Sequence, residues 1–280
     1  MRRLAVLFTV AGLLVALAAP ATMAASSRPI EYLALGDSLA FGCSPYLNPA
    51  DPEGFVAYPE MTADMLRDSW VNAACPGETS SHFIDLDGPD HGCGAWRFGY
   101  GAPLHVAYAT SQLDFVDAFL ASHPKTLLIT IDMGANDVGA LRDECMQQAN
   151  PIACFQAGLP GMLATLSANM DTIYHHIRVD AGYTHKLVAL TVYSPNYADQ
   201  LTTGAIAAVN QVVAGRTLAW DGIVADGFGA FAAATTAYGG SSCAAGLLIP
   251  LASGSGCDDH PSAAGHTLLA TTIARAVRAD

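Results

Sequence analysis

The chain has 280 residues with a formal net charge of −13, and 52% of its residues are hydrophobic. This length suffices to bury a full hydrophobic core but is too short for two large domains, so we expect one domain over residues 25–280. Only 12 Lys and Arg residues stand against 25 Asp and Glu residues. Because nucleic-acid binding needs a basic surface, this balance argues against a nucleic-acid partner.

The first residues have the pattern of a secretory signal peptide. Met1-Arg2-Arg3 supplies a basic start, residues 4–19 are an apolar run, and small residues follow. The run is somewhat short for a membrane-spanning helix, which needs about 20 apolar residues. We therefore expect residues 1–24 to be a signal peptide, cleaved near Ala24 or Ala25, and a secreted protein without a stable membrane anchor. An uncleaved anchor is the alternative.

Strands and helices are predicted to alternate along the rest of the chain. Apolar runs rich in β-branched residues predict strands at residues 32–35, 71–74, 126–133, 186–193 and 222–225. Helical spacing of apolar residues predicts helices at residues 59–69, 112–122, 159–181, 205–218 and 263–277. This alternation predicts an α/β fold, in which a parallel sheet lies between two helical layers and function lies at the carboxyl ends of the strands.

Long segments after the strands are predicted to be loops that carry the cysteines. These segments are residues 41–58, 77–110, 139–158 and 226–259, and loops of this length tend to be functional. Export makes disulfides possible, and pairing of sequence neighbours predicts Cys75–Cys93, Cys145–Cys154 and Cys243–Cys257, with Cys43 free. The disulfides either brace the rim of a site or only hold the surface together. A zinc site is the alternative, but no C-x-x-C pair occurs, and we expect no metal.

The first strand ends in a sharp turn that carries a serine. Gly36, Asp37 and Ser38 follow the strand of residues 32–35, and glycine adopts the backbone angles of a sharp turn without steric cost. Ser38 then lies near a helix N-terminus, where free backbone N–H groups favour a developing anion. This is a suitable position for a nucleophile, although a lone motif of this kind is also explained by Ser38 acting as a helix N-cap.

Three further residues occupy strand ends or helix starts. Gly77 follows the second strand, where a glycine allows a backbone N–H to come close to a ligand. Asn136 follows the third strand and can direct its amide at an oxyanion, although a turn or cap asparagine is commoner. His260 precedes the last predicted helix, which Pro261 is suited to begin. Histidine titrates in the range needed to activate a serine hydroxyl.

In this order the motifs resemble those of the SGNH/GDSL hydrolases. The matching segments are Gly36-Asp37-Ser38, Gly77, Gly134-x-Asn136-Asp137 and His260-Pro261. Each is weak alone, but four in the right order, each at the right strand end, are specific. The resemblance spans nearly the whole mature chain. It implies a flavodoxin-like three-layer sandwich with about five parallel strands, and ester hydrolysis without a metal or another cofactor.

The resemblance also implies a role for each residue. Ser38 would be the nucleophile and His260 the general base. The oxyanion hole would combine the backbone N–H groups of Ser38 and Gly77 with the Asn136 side chain, since several fixed donors stabilise a tetrahedral oxyanion.

The third catalytic residue departs from the family pattern. The family commonly places an aspartate three residues before the histidine, and this chain has Cys257 there, with Asp258 and Asp259 following. We take Asp258 as the acid, although a shift of one residue turns a side chain away unless the loop bulges. A backbone carbonyl, as some family members use, is the alternative.

We therefore expect a secreted, monomeric esterase or lipase that forms an acyl-enzyme on Ser38 from a small-molecule, lipid or glycan ester. Four aromatic residues of the second loop either form an apolar wall for the acyl group or pack the loop down: Trp96, Phe98, Tyr100 and Tyr108. An O-acetyl-polysaccharide deacetylase of the same mechanism is one alternative. The other is an exported binding protein that keeps the fold and lacks the chemistry.

Overall fold

A computed structural model describes residues 31–280, so the predicted signal peptide lies outside the described residues. A parallel sheet forms the centre of this part. Its strands are β1 (Tyr32–Leu35), β2 (Trp70–Asn72), β3 (Leu128–Asp132), β4 (Lys186–Leu190) and β5 (Ile223–Ala225). They lie in the order β2-β1-β3-β4-β5. Chain order therefore reverses between β1 and β3, which is where flavodoxin-like sheets bind ligands.

Helices cover both faces of the sheet. In residues 31–280 they are α1 (Ser38–Phe41), α2 (Tyr58–Leu66), α3 (Ser80–Ile84), α4 (Gln112–Ser122), α5 (Ala135–Met146), α6 (Pro151–His175), α7 (Gln200–Ala219), α8 (Gly227–Thr235) and α9 (Ala263–Ala279). The apolar residues of α2, α8 and α9 join one core, and those of α4, α6 and α7 join the other. The predicted three-layer α/β/α sandwich with five parallel strands is confirmed.

The inner strands explain why the apolar runs are continuous. All residues of β1 and β3 are buried, because both faces of the sheet are covered. Side chains alternate between the two faces, so Tyr32 lies in the core under α9 and Leu33 in the core under α6. Strand pairing places Tyr32 opposite Leu128, which brings the carboxyl ends of β1 and β3 side by side.

Three predicted loops contain helices or strands, and in residues 77–110 this is the short helix α3. Residues 139–158 are mostly helical, because α5 runs to Met146 and α6 already begins at Pro151, where the Asn150 side chain accepts a hydrogen bond from the Ala153 N–H. Residues 226–259 contain α8 and strand β6 (Leu248–Pro250), which pairs antiparallel with β7 (Cys257–Pro261). Proline and asparagine at these positions start a helix rather than interrupt it.

The cysteines pair as sequence neighbours. The structure joins Cys75 to Cys93, Cys145 to Cys154 and Cys243 to Cys257. Cys43 is free and buried. Among the helices of residues 31–280, none combines the length and apolar character of a membrane span.

Candidate active site

Ser38 lies at the bend between β1 and α1. Gly36 has a φ of 134°, and a Cβ there would meet Asp132 Oδ1 at 2.2 Å, so only glycine fits. Asp37 caps the short helix, because its Oδ1 accepts a hydrogen bond from the Leu39 N–H at 2.8 Å. Ser38 itself is half-buried, and its backbone N–H has no acceptor among the described residues. The bend therefore presents a hydroxyl and a free N–H together.

His260 and Asp258 lie side by side on β7. The His260 Nδ1 is 2.5 Å from Asp258 Oδ1, which also accepts a hydrogen bond from the His260 backbone N–H at 3.0 Å. Residues two apart share one face of a strand. The Asp258 side chain therefore points towards His260, although it is two residues before the histidine and not three. This contact leaves Nε2 as the free ring nitrogen. The Asp259 side chain is exposed, and its carbonyl accepts a hydrogen bond from the Tyr193 hydroxyl at 2.5 Å.

Ser38 and His260 line one cavity of about 440 Å³ together with Asn136. Within the described residues, no hydrogen bond joins the Ser38 hydroxyl to the imidazole. Catalytic contacts of this kind are often long in free enzymes and tighten when substrate binds. The cavity therefore brings together three of the predicted site residues, with Asp258 behind the histidine.

Asn136 is held at both ends of its amide. It lies in the first turn of α5, after Gly134, whose φ is 103°. Its Nδ2 donates to Asp37 Oδ2 at 3.0 Å, and its Oδ1 is 2.9 Å from His91 Nδ1. An amide nitrogen carries two hydrogens, so one N–H of Asn136 remains for a ligand in the cavity.

Gly77 does not line the cavity but is tied to the serine turn. The Cys75 N–H donates to the Gly36 carbonyl at 3.0 Å. Gly77 has a φ of 80°, and a Cβ there would meet Gly92 Cα and the His91 carbonyl at 2.6 Å. Its N–H has no acceptor among the described residues. The close packing of backbone on backbone requires glycine here.

Two buried carboxyl groups, those of Asp37 and Asp132, lie next to the turn that carries Ser38. Asp37 and Asp132 are inaccessible to solvent, and Asp132 Oδ1 accepts a hydrogen bond from the Tyr58 hydroxyl at 2.6 Å. Burial raises the pKa of both carboxyls, and the neighbouring charge of Asp132 raises the pKa of Asp37 further. Two adjacent buried carboxyls share a proton more readily than they carry two charges. The turn is thus fixed to the end of β3.

The wall of the cavity is apolar, mostly aliphatic, and comes largely from three helices. The side chains that α5, α6 and α7 contribute include Val138, Met146, Ile152, Phe155, Leu201 and Ile206. Of the two alternatives for the four aromatic residues of residues 77–110, the apolar wall is not observed, because none of them lines the cavity. Trp96 packs against Phe41 with ring centroids 5.5 Å apart, and the Tyr108 hydroxyl bonds the Ala73 carbonyl. Trp96 and Tyr108 thus pack the loop onto the core, whereas Phe98 and Tyr100 are exposed.

Sequence reasoning did not predict the contact of His91 with Asn136 or the helical wall. His91 lies in a long polar segment, and nothing in its neighbours indicates that it faces Asn136. Its one available signal was Gly139, a glycine within a helix, where a Cβ would meet His91 Cε1 at 2.9 Å. The helical wall carried a clearer signal, namely the Asn150-Pro151 start of α6.

Ser38 follows the first strand of this sheet, and His260 precedes its last helix. The model of the GDSL-like lipase/acylhydrolase family matches residues 34–268. The chain therefore belongs to the GDSL-like lipase/acylhydrolase family and is a carboxylic ester hydrolase. No curated protein matches the sequence.

Solved structures of lipases and esterases share the fold. Phospholipase A1 from Streptomyces albidoflavus NA297 is 20% identical, with a TM-score of 0.56 over 88% of this chain and 98% of that one. An extracellular lipase from Streptomyces rimosus is also 20% identical, with a TM-score of 0.55 over 88% and 99%. Axe2, an acetylxylan esterase from Geobacillus stearothermophilus, is 15% identical, with a TM-score of 0.54 over 88% and 93%. At these identities the likeness concerns the fold.

Proposed function

We propose that this protein is a secreted serine esterase that binds the acyl chain of its substrate in the cavity beside Ser38 and His260. The observation that carries the proposal is the position of the cavity, which has an apolar wall and is also lined by both residues. Apolar pockets with a few convergent polar groups are typical of small-molecule sites.

Ser38 is the nucleophile in this proposal. Its Oγ attacks the ester carbonyl carbon while His260 Nε2 takes the hydroxyl proton. The same proton then passes to the oxygen of the leaving alcohol as the C–O bond breaks, which leaves an acyl group on Ser38. Water then gives a proton to His260 Nε2 and attacks the acyl carbon. As the bond from that carbon to Ser38 Oγ breaks, the proton returns to Oγ and the carboxylic acid is released. Asp258 accepts from His260 Nδ1 and holds Nε2 in the form that can accept a proton.

The oxyanion of each tetrahedral intermediate is stabilised by three donors in this proposal. They are the Ser38 N–H, the Gly77 N–H and the free N–H of Asn136. The first two have no acceptor among the described residues, so neither has to break an existing hydrogen bond. Fixed donors of this kind act mainly on the transition state.

The size and character of the cavity favour a chain of several methylenes over an acetyl group. Each methylene that leaves water for an apolar wall gains about 0.8 kcal/mol, close to a fourfold gain in kcat/KM. An acetyl group would use little of the wall. An O-acetyl-polysaccharide deacetylase therefore fits the cavity less well, and the chain-length series below separates the two.

Secretion is supported by two independent features. The N-terminal sequence has the order of a signal peptide, a basic start before an apolar run and small residues. Three disulfides also require an oxidising compartment to form and persist.

The proposal is tested with p-nitrophenyl esters from acetate to palmitate. We expect kcat/KM to rise from acetate to a medium chain, and Ser38→Ala to lower turnover by about 10⁴-fold or more. Ser44→Ala is the matched control, because Ser44 lies six residues later and does not line the cavity. Turnover by Ser38→Ala near that of the Ser44→Ala control would remove Ser38 from the mechanism. A preference for acetate over every longer chain would contradict the acyl site and favour the deacetylase.

A further inference from the structure

The His91 ring lies on α5 between Asn136 and Asp143. Its Nδ1 is 2.9 Å from Asn136 Oδ1, and its Nε2 is 3.1 Å from Asp143 Oδ2. The ring fits there because residue 139 of the helix is glycine, since a Cβ would lie 2.9 Å from His91 Cε1. His91 also lines the cavity. The histidine therefore joins a loop residue to the helix that carries Asn136.

The backbone on either side of His91 is fixed independently. The Asp90 carboxylate accepts hydrogen bonds from the N–H groups of Gly92 at 3.1 Å, Cys93 at 2.9 Å and Gly94 at 3.0 Å. Cys93 is also bonded to Cys75, two residues before Gly77. The His91 carbonyl and Gly92 Cα in turn pack against Gly77. One braced segment thus supports two of the proposed oxyanion donors.

We propose that His91 is a positioning residue for Asn136, an inference that rests on the oxyanion role proposed above. Asn136 Oδ1 can only accept, so His91 Nδ1 must donate to it. That bond, with the Nδ2 bond to Asp37, fixes which end of the amide faces the cavity. Without it the amide can rotate and present its oxygen to the developing oxyanion.

The far side of the imidazole is held by a carboxylate. Asp143 lies between His91 and Arg142, whose Nε donates to Asp143 Oδ1 at 2.8 Å. The bond from Arg142, and then that from His91, lowers the pKa of Asp143. The carboxylate is therefore anionic, and its Oδ2 lies 3.1 Å from His91 Nε2 on the far side of the ring. Asp143 and Asn136 thus flank the ring from opposite sides, and the Nδ1–H of His91 positions the donor of the oxyanion hole.

The test is a double-mutant cycle between His91 and Asn136 on a medium-chain p-nitrophenyl ester. We expect His91→Ala to lower kcat by about 3- to 10-fold, the effect of one lost hydrogen bond, with KM changed by less than about twofold. In the Asn136→Ala background the same substitution should change kcat by less than about twofold, because the amide it positions is gone. His91→Asn, which keeps an N–H near the Nδ1 position, should recover most of the lost kcat.

His175→Ala is the matched control, since His175 is an exposed histidine 3.3 Å from an aspartate and does not line the cavity. Thermal melting of each variant separates a lost fold from a lost donor. Equal losses from His91→Ala in both backgrounds, or an unchanged kcat, would overturn the positioning role. A raised KM with unchanged kcat would instead assign His91 to substrate binding. Activity that survives Ser38→Ala would contradict the proposed function itself. Failure of the double-mutant cycle alone would contradict only the role of His91.

Discussion

Asp258 and His260 are two residues apart on β7, and this spacing determines which group can orient the imidazole. An acid three residues before a histidine suits a turn, whereas an acid two residues before it suits a strand, where both side chains point the same way. β7 pairs with β6, and the carboxylate lies 2.5 Å from Nδ1. The extended backbone of β7 thus places the Asp258 carboxylate against His260 Nδ1, although the aspartate is two residues before the histidine and not three.

Replacing Asp258 with asparagine tests this contact. An amide can donate to Nδ1 and favour the wrong imidazole tautomer, and in serine proteases the same exchange costs about 10⁴-fold in kcat. We expect a loss of this order for Asp258→Asn in steady-state ester hydrolysis. Asp259→Asn is the control, because that side chain is exposed and only its carbonyl is bonded. Equal rates for the two variants would mean that the orienting group is a backbone carbonyl and that Ser38 and His260 act as a dyad.

At the scale of elements, helices α5 to α7 supply most of the apolar lining of the cavity beside Ser38 and His260. Gly139, Asn150 and Pro151 made the segment between β3 and α6 resemble a loop, although Asn150 caps α6 and Pro151 begins it. The Cys145–Cys154 disulfide then joins the end of α5 to the first turn of α6. A site wall assembled from three helices has no local sequence pattern, and this is why the sequence did not indicate it.

Ile206→Phe should shorten the acyl site. Ile206 is a half-buried residue of α7 that lines the cavity, and a larger side chain removes room for several methylenes. We expect kcat/KM for a long-chain ester to fall by about tenfold or more, at about 0.8 kcal/mol for each displaced methylene. The acetate ester should change by less than about twofold, since it uses little of the wall.

Leu218→Phe on the same helix is the control, because Leu218 is 63% exposed and does not line the cavity. A uniform loss across all chain lengths would show that the substitution disturbs the site and does not limit the acyl chain.

Helix α9 carries a buried histidine that makes stability depend on pH. His266 is 4% exposed, and its Nδ1 has no hydrogen-bond partner in the structure. Burial, with a smaller contribution from the charge of His260, lowers the pKa of His266 from 6.5 to about 4. The folded protein therefore holds this ring neutral, whereas the unfolded chain binds a proton below 6.5. Its contribution to stability is present above that pH and is lost as the pH falls towards 4.

Urea unfolding should show this loss and its removal by His266→Phe. Between neutral and about pH 5 we expect the free energy of unfolding to fall by up to about 2 kcal/mol more for the wild type than for the variant. Every other titrating group is common to both proteins, so the difference isolates His266. Parallel pH dependence of the two proteins would contradict a neutral His266 in the fold.

For the molecule as a whole, the sequence best predicted those features that depend on a single strand or helix. Buried parallel strands are continuous apolar runs, so the five strands were located and β1 was placed at residues 32–35, the bounds that the structure has. Ser38, Asn136 and His260 each follow a strand or precede a helix, and the sheet order then brings them to one cavity.

Features that depend on contact between distant segments were not predictable in this way. His91 is 45 residues from Asn136 in sequence, and the polar segment around it shows no periodicity. Likewise, the sequence leaves open whether the aromatic side chains of residues 77–110 face a ligand or the core. For Trp96 the answer comes from its tertiary contact with Phe41. Contacts between distant segments are determined by the tertiary fold, so the spacing of neighbouring residues in the sequence does not indicate them.

The central claim is that one serine, Ser38, carries the acyl group during hydrolysis. The most direct measurement treats the protein with a p-nitrophenyl phosphonate and compares released nitrophenolate, residual activity and the modified peptide. We predict one equivalent of nitrophenolate, complete loss of ester hydrolysis and a phosphonyl group on the peptide that contains Ser38. Full inhibition with the label on another residue, or hydrolysis that continues after Ser38 is labelled, would contradict the account.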